Sequence, residues 1–191
     1  GADGRPLSPD RRISGPGAVD DESAPAVAWN GKAQEYLVVW EDERDPLSLS
    51  ADIYGRRVGR DGLPQGDDFR ISGSSAVGND YAPAVAANET SGGFLVVWQD
   101  SRNQGTSSWD IYGRRVGADG APAGDDFRIS GASATAAEFD PAVAWNATGN
   151  QYLVVWNDYR NTGIGRGSDI YSRRVRANGT VMGDDRRVCG G

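Results

Sequence analysis

The chain has 191 residues, 38% of them hydrophobic and 25% charged, with a formal net charge of -7. That is enough apolar matter for one sizeable core, and the acidic balance argues against a nucleic-acid phosphate backbone as partner. The absence of histidine excludes imidazole triads and imidazole metal sites, and Cys189 as the single cysteine excludes an intrachain disulfide.

No apolar run approaches the roughly 20 residues of a membrane-spanning helix, so membrane insertion is not expected. The opening Gly1-Ala2-Asp3, without methionine or a signal peptide, reads as a processed or excised piece of a longer precursor.

Taken in order, residues 1–14 match residues 59–72 position for position, so the chain begins with a spare outer-strand segment ending Arg11-Arg12-Ile13-Ser14. A first full unit, 15–72, follows. Pro25-Ala26-Val27-Ala28 predicts a first strand. Tyr36 to Trp40 is a continuous apolar run, as expected for a strand covered on both faces. Asp52-Ile53-Tyr54-Gly55-Arg56-Arg57-Val58 predicts a third strand. Asp61-Gly62, a dipeptide that accepts positive φ, turns it into the alternating Phe69-Arg70-Ile71-Ser72.

The second unit, 73–130, repeats all four segments at Pro83, at Leu95 to Trp98, at Asp110 to Val116 and, through Asp119-Gly120, at Phe127 to Ser130. The third, 131–189, repeats them at Pro141, Leu153 to Trp156, Asp169 to Val175 with Ser172 in the glycine's place, and Arg186-Arg187-Val188-Cys189. The spacing from Pro25 to Pro83 and from Pro83 to Pro141 is 58 residues each time. Four short strands per unit in an up-and-down meander predict an all-β chain of β-propeller-type blades. The expectation is one repeat domain spanning 1–191, with three four-stranded repeats of about 58 residues plus the extra N-terminal outer strand. Three blades are fewer than the roughly 4–8 of propellers, which predicts a homo-oligomer or part of a longer array. Residues 11–14 are expected to pair on the edge of a sheet distant in sequence or in another chain.

Leu-Val-Val-Trp-x-Asp-x-Arg followed by Asp-Ile-Tyr-Gly-Arg-Arg-Val resembles the repeats of large secreted bacterial proteins predicted to form β-propellers. The resemblance covers essentially the whole chain and implies an extracellular location with a binding or surface role. Phe69-Arg70-Ile71-Ser72 also resembles the Phe-Arg-Ile-Pro start of sialidases, but it departs at Ser72, recurs in the fourth strand and lacks the Ser-x-Asp-x-Gly-x-x-Trp box. It is read as coincidence.

The connections between second and third strands (41–51, 99–109, 157–168) and between units (15–24, 73–82, 131–140) differ among repeats and fall on one face. A rigid scaffold with variable loops on one face suits a binding surface. Trp109, Tyr159, Tyr81 and Phe139 lie in these loops and could stack on sugar rings. Glu22, Asp80 and Glu138 each stand three residues before the first-strand proline, beside Asp21, Asn79 and Asp140. If they converge, they make an oxygen-rich site of the kind calcium uses.

The pairs Asp42 and Arg44, Asp100 and Arg102, Asp158 and Arg160 recur in every unit, which favours ion-paired staples over catalysis. The reading that results is a secreted, non-enzymatic binding module whose loop face meets a glycan or a surface protein. The first alternative is a structural repeat assembling into a larger or filamentous array. The second is a glycoside hydrolase, placed behind because acids repeated in every unit do not single out one catalytic pair.

Overall fold

The computed structural model describes residues 8–44, 50–73, 78–105, 108–132, 135–162 and 167–188. Cys189 and residues 1–7 lie outside the described residues. Among the described residues there are twelve strands and no helix. Sheet 1 holds β1 (Glu22–Asn30), β2 (Glu35–Asp42), β3 (Asp52–Gly59) and β4 (Pro64–Arg70). Sheet 2 holds β5 (Asp80–Ala87), β6 (Phe94–Asp100), β7 (Asp110–Val116) and β8 (Pro122–Arg128). Sheet 3 holds β9 (Glu138–Asn146), β10 (Gln151–Asp158), β11 (Asp169–Arg176) and β12 (Val181–Arg187). Each sheet is antiparallel with its strands in chain order.

The local causes repeat with the sequence. In the turn between third and fourth strands, Gly62, Gly120 and Gly179 sit at φ of 78°, 80° and 90°, a region glycine enters without steric cost. A different constraint acts at Gly55 and Gly113. A Cβ there would meet Ile71 Cδ1 and Ile129 Cδ1 at 2.7 Å. The third unit carries Ser172 at this place, and there the isoleucine is replaced by Val188, which has no Cδ1. The two departures from the repeat compensate each other.

The sheets stack face to face in chain order, the first strand of each lying against the preceding sheet. Leu37, Val39, Ile53 and Ile71 of sheet 1 meet Phe94, Val96, Trp98 and Tyr112 of sheet 2. The same positions one unit on, Leu95, Val97, Ile111 and Ile129, meet Tyr152, Val154, Trp156 and Tyr171 of sheet 3. The second strand therefore puts side chains into both interfaces. In β6 its two faces are buried between two neighbours, as its unbroken apolar run predicts.

Within the chain the expected extra N-terminal outer strand is not formed: residues 8–14 make no strand. β4, β8 and β12 already hold the fourth place in the three sheets, which leaves the segment no sheet of its own to complete. It crosses the front of sheet 1 instead. There the Ile13 carbonyl accepts a hydrogen bond from Arg56 Nη1 at 2.7 Å, and Arg12 Nη2 donates to the Ala18 carbonyl at 2.7 Å.

Trp98 is fully buried between sheets 1 and 2, and its indole N–H donates to Asp80 Oδ1 at 3.0 Å. Trp98→Ala is expected to cost about 3–5 kcal/mol in guanidinium unfolding, from the cavity and the lost packing. Trp98→Phe should cost less, retaining a ring while stranding the carboxyl. A loss under about 1 kcal/mol for the alanine variant, the scale of a surface change, would contradict this packing.

Candidate functional site

At the end of each sheet where the first strand begins, three acids stand side by side across three strands. They are Glu22, Asp42 and Asp52 in sheet 1, Asp80, Asp100 and Asp110 in sheet 2, and Glu138, Asp158 and Asp169 in sheet 3. Like charges directly opposite repel, so the row requires neutralisation. Two arginines supply most of it. Arg102 donates to Asp100 and Asp126, each at 2.5 Å, while its guanidinium lies 4.0 Å from the Tyr112 ring centroid. Arg44 and Arg160 repeat the arrangement with Tyr54 and Tyr171. From the fourth strand, Arg70, Arg128 and Arg187 pair with Asp52, Asp110 and Asp169. These repeated charges are staples within each sheet, bidentate and stacked, and they consume the charges they carry.

Glu22, Asp80 and Glu138, the acids expected to share calcium, are not gathered into one site. Among the described residues no three acidic, histidine or cysteine side chains stand where they could hold a metal ion. Each acid belongs to a different sheet and looks to its own surroundings. Glu22 is exposed and pairs with Arg12 at 3.2 Å. Asp80 and Glu138 are fully buried, because the first strands of sheets 2 and 3 are covered by the sheet before.

Burial, and then the neighbouring Asp100, push the Asp80 carboxyl far above the usual carboxylate range. Burial pushes Glu138 up to about 8. Arg160 reaches Glu138 only at 3.4 Å and is committed to Asp158 and Asp185, so it does not offset that burial. Both shifts favour the protonated acid. A proton held on either acid relieves the charge of its row.

Above this row lies the aromatic set. Tyr81, Trp109, Phe139 and Tyr159 form one continuous line, with ring centroids 5.8, 6.0 and 5.7 Å apart in that order. Tyr81 and Phe139 come from first strands, Trp109 and Tyr159 from the loops that follow second strands. A bulge adjoins each of the two first-strand rings. Ala24, Ala82 and Asp140 take φ of 48°, 52° and 53° immediately before a proline, a left-handed conformation that non-glycine residues adopt at a cost.

Two cross-sheet hydrogen bonds hold the bulges. The Ala82 amide donates to Glu41 Oε1 at 2.7 Å, and the Asp140 amide donates to Gln99 Oε1 at 3.1 Å. The line keeps one face toward solvent: Trp109 is half-buried and Tyr159 is exposed.

Acids that do not repeat flank this line. The position after the core tryptophan is Glu41, Gln99 and Asn157 in the three units, and the bulge position is Ala24, Ala82 and Asp140. Burial and the charges of Glu43 and Glu41 raise the Tyr81 hydroxyl above its usual range, so both acids stand near that end of the line. Asp140 follows Phe139 and accepts a hydrogen bond from Asn157 Nδ2 at 3.0 Å. Sequence reasoning passed over Glu41 and Glu43. The signal that finds them is the unit-to-unit difference at positions otherwise in register.

No protein-family model matches the chain, and no curated protein is similar to it. Its fold is nonetheless found among solved structures. The Hadza microbial sialidase Hz136 is similar with a TM-score of 0.62 at 11% identity, over 84% of this chain and 36% of that one. The GH93 alpha-L-arabinofuranosidase of Fusarium graminearum, solved with arabinobiose, gives 0.61 at 15% identity, over 86% and 49%. The GH43 endo-arabinanase from Bacillus licheniformis gives 0.54 at 16%, over 89% and 60%. The chain thus spans between about a third and three-fifths of the length of these proteins.

The proteins that share this fold are a sialidase, an arabinofuranosidase and an endo-arabinanase, which runs against the expectation of a non-enzymatic binding module. The argument against catalysis rested on acids repeated in every unit. The flanking acids Glu41 and Asp140 do not repeat.

The buried acids set a pH dependence. Asp42, Asp68 and Asp126 are held below the ordinary range by hydrogen bonds to arginine, which outweigh burial, and their stabilisation is lost as pH falls through their folded values. Glu138 is raised, so its contribution is complete below its unfolded value and is lost as pH rises toward about 8. Asp80 acts in the same direction. The melting temperature should therefore peak near about pH 5 and fall toward pH 9. Glu138→Gln should flatten the alkaline limb. An alkaline limb of the same slope in the variant would contradict the assignment.

Proposed function

We propose that this chain belongs to an extracellular glycoside hydrolase built as a β-propeller, with its three sheets as consecutive blades. In this reading the loop end of the sheets carries the substrate. The single observation that supports it best is the four-ring line of Tyr81, Trp109, Phe139 and Tyr159, flanked by acids that occur once each. Aromatic faces stack on the C–H faces of sugar rings, and a few polar groups beside them fix orientation. The fold shared with a sialidase, an arabinofuranosidase and an endo-arabinanase supports the same class.

Glycoside hydrolysis needs two carboxyl groups. One donates a proton to the leaving oxygen. The other attacks the anomeric carbon or takes a proton from the attacking water. Glu41 and Asp140 are this reading's candidates for those roles, since each occurs once among the repeats, Glu41 holding the bulge beside Tyr81 and Asp140 forming the bulge beside Phe139. Asp80 and Glu138 are not, being shut away from solvent beneath the line. The repeat resemblance to secreted bacterial proteins accords with an extracellular site of action on polymeric glycan.

The test is release of reducing ends from arabinan, arabino-oligosaccharides and sialosides. Cleavage of one of these classes is expected, with kcat/KM falling about 100-fold or more in Glu41→Gln and Asp140→Asn, the ordinary worth of a general acid or base. Trp109→Ala should raise KM more than it lowers kcat. Full activity in both carboxamide variants would remove these two acids from the chemistry. No cleavage of any of these glycans would overturn the hydrolase reading itself.

A further inference from the structure

The interface between sheets 1 and 2 and the interface between sheets 2 and 3 are built from the same positions of the repeat. One half is Leu37, Val39, Ile53 and Ile71 in sheet 1, repeated one unit on in sheet 2, and every member of both sets is 0% exposed. Among the described residues no sheet lies on the corresponding face of sheet 3: Leu153, Ile170 and Val188 are 45%, 36% and 62% exposed. The other half of the interface is Phe94, Val96, Trp98 and Tyr112 in sheet 2. Its counterpart on sheet 1 is Tyr36, Val38, Trp40 and Tyr54, where Val27 on β1 stands 61% exposed, Val38 is half-buried, and the buried Trp40 lines a cleft of about 280 Å³ walled on one side by Arg12, Ile13 and Ser14. One end of the chain thus presents the first half of an interface the molecule already makes twice, and the opposite end presents the second half.

Polar contacts across the two internal junctions follow the same rule. The Asp80 amide donates to the Ala51 carbonyl at 2.9 Å, and the Glu138 amide to the Trp109 carbonyl at 3.0 Å. A third junction would set Glu22 against Ser168. Arg57 packs on Gly120 and Arg115 on Gly179, each reaching the third-to-fourth-strand turn of the next sheet. The arginine at this place in sheet 3, Arg174, is exposed, and the turn at Gly62 in sheet 1 is the one it would meet. We infer that a second copy of this chain docks head to tail, its sheet 1 covering sheet 3 of the first. Unlike a two-fold dimer, such a heterologous contact closes a ring when its rotation allows and otherwise runs on as a filament.

The same comparison identifies a brake. Arg114 and Arg173 each donate to a carbonyl of the preceding unit, Ile71 at 3.0 Å and Ile129 at 2.9 Å. Arg56 donates to Ile13 at 2.7 Å. The Gly73 and Gly131 amides donate to Asp126 and Asp185, and the Gly15 amide donates to Asp68 at 3.1 Å. Residues 12–15 therefore occupy on sheet 1 the seat that the end of a preceding unit takes on sheets 2 and 3. Val188 of a docking copy competes for that seat, and the leading segment must give it up for the contact to close.

Sedimentation of the full chain across micromolar concentrations tests this. The expected result is a mass that rises above the 20.3 kDa of one chain with concentration. Leu153→Arg, at a position exposed in the single chain and so harmless to its fold, should weaken the association by about a hundredfold or more through an unpaired charge in the interface. Ile13→Asp should strengthen it by loosening the leading segment. Association of the full chain or of Ile13→Asp that Leu153→Arg abolishes supports the inference. A mass of one chain for both proteins at every concentration, or association indifferent to Leu153→Arg, overturns it. None of these outcomes depends on the glycan reading, which is tested by cleavage.

Discussion

A strand with apolar side chains on both faces must be covered on both sides. The second strand of every unit here is such a strand, because Leu95 and Val97 point to one neighbour while Val96 and Trp98 point to the other. No sheet of this protein can therefore bury its own apolar surface alone, and each depends on the one before and the one after. Among the described residues only sheet 2 has both requirements met. The stacking order, the short turns and the repeated compensation between Gly113 and Ile129 all serve that requirement.

Stacking the sheets also carries polar strand ends into the interior. At the loop end, three acids per sheet are brought side by side, and sheet-on-sheet burial then shuts the innermost ones away from water. Arginines stacked on tyrosines balance the outer acids. For Asp80 and Glu138 the cheaper solution is a retained proton. This stapled floor is what the bulges and the aromatic line rest on. A loop surface is held in one arrangement by a floor that does not move, and the repeated motif supplies it.

Much of the fold is legible from the residues. The strand segments, the glycine turns and the doubly covered second strand follow from local pattern, which depends only on neighbours in sequence. The four rings Tyr81, Trp109, Phe139 and Tyr159 could be placed on one face by the parity of an antiparallel meander, though not in a line, since their spacing depends on how far one sheet is displaced on the next. The fate of Glu22, Asp80 and Glu138 was not legible. Equivalent in sequence, they differ in burial because one lies on an uncovered sheet and two do not. The leading segment is a similar case. Its match to residues 59–72 gives its shape-complementarity, but whether it finds an edge or a face depends on which seats are already filled.

If mutual covering is the basis of stability, the three sheets must differ in protection in the order of their cover. Native-state hydrogen exchange reports this directly, best on the Leu153→Arg chain, in which the outer faces stay open. The backbone amides of β6 are predicted to exchange only through global unfolding, whereas those of β2 and β10 should exchange through smaller openings that free one sheet at a time. Equal protection across β2, β6 and β10, or a β6 less protected than its neighbours, would contradict the dependence of each sheet on the next.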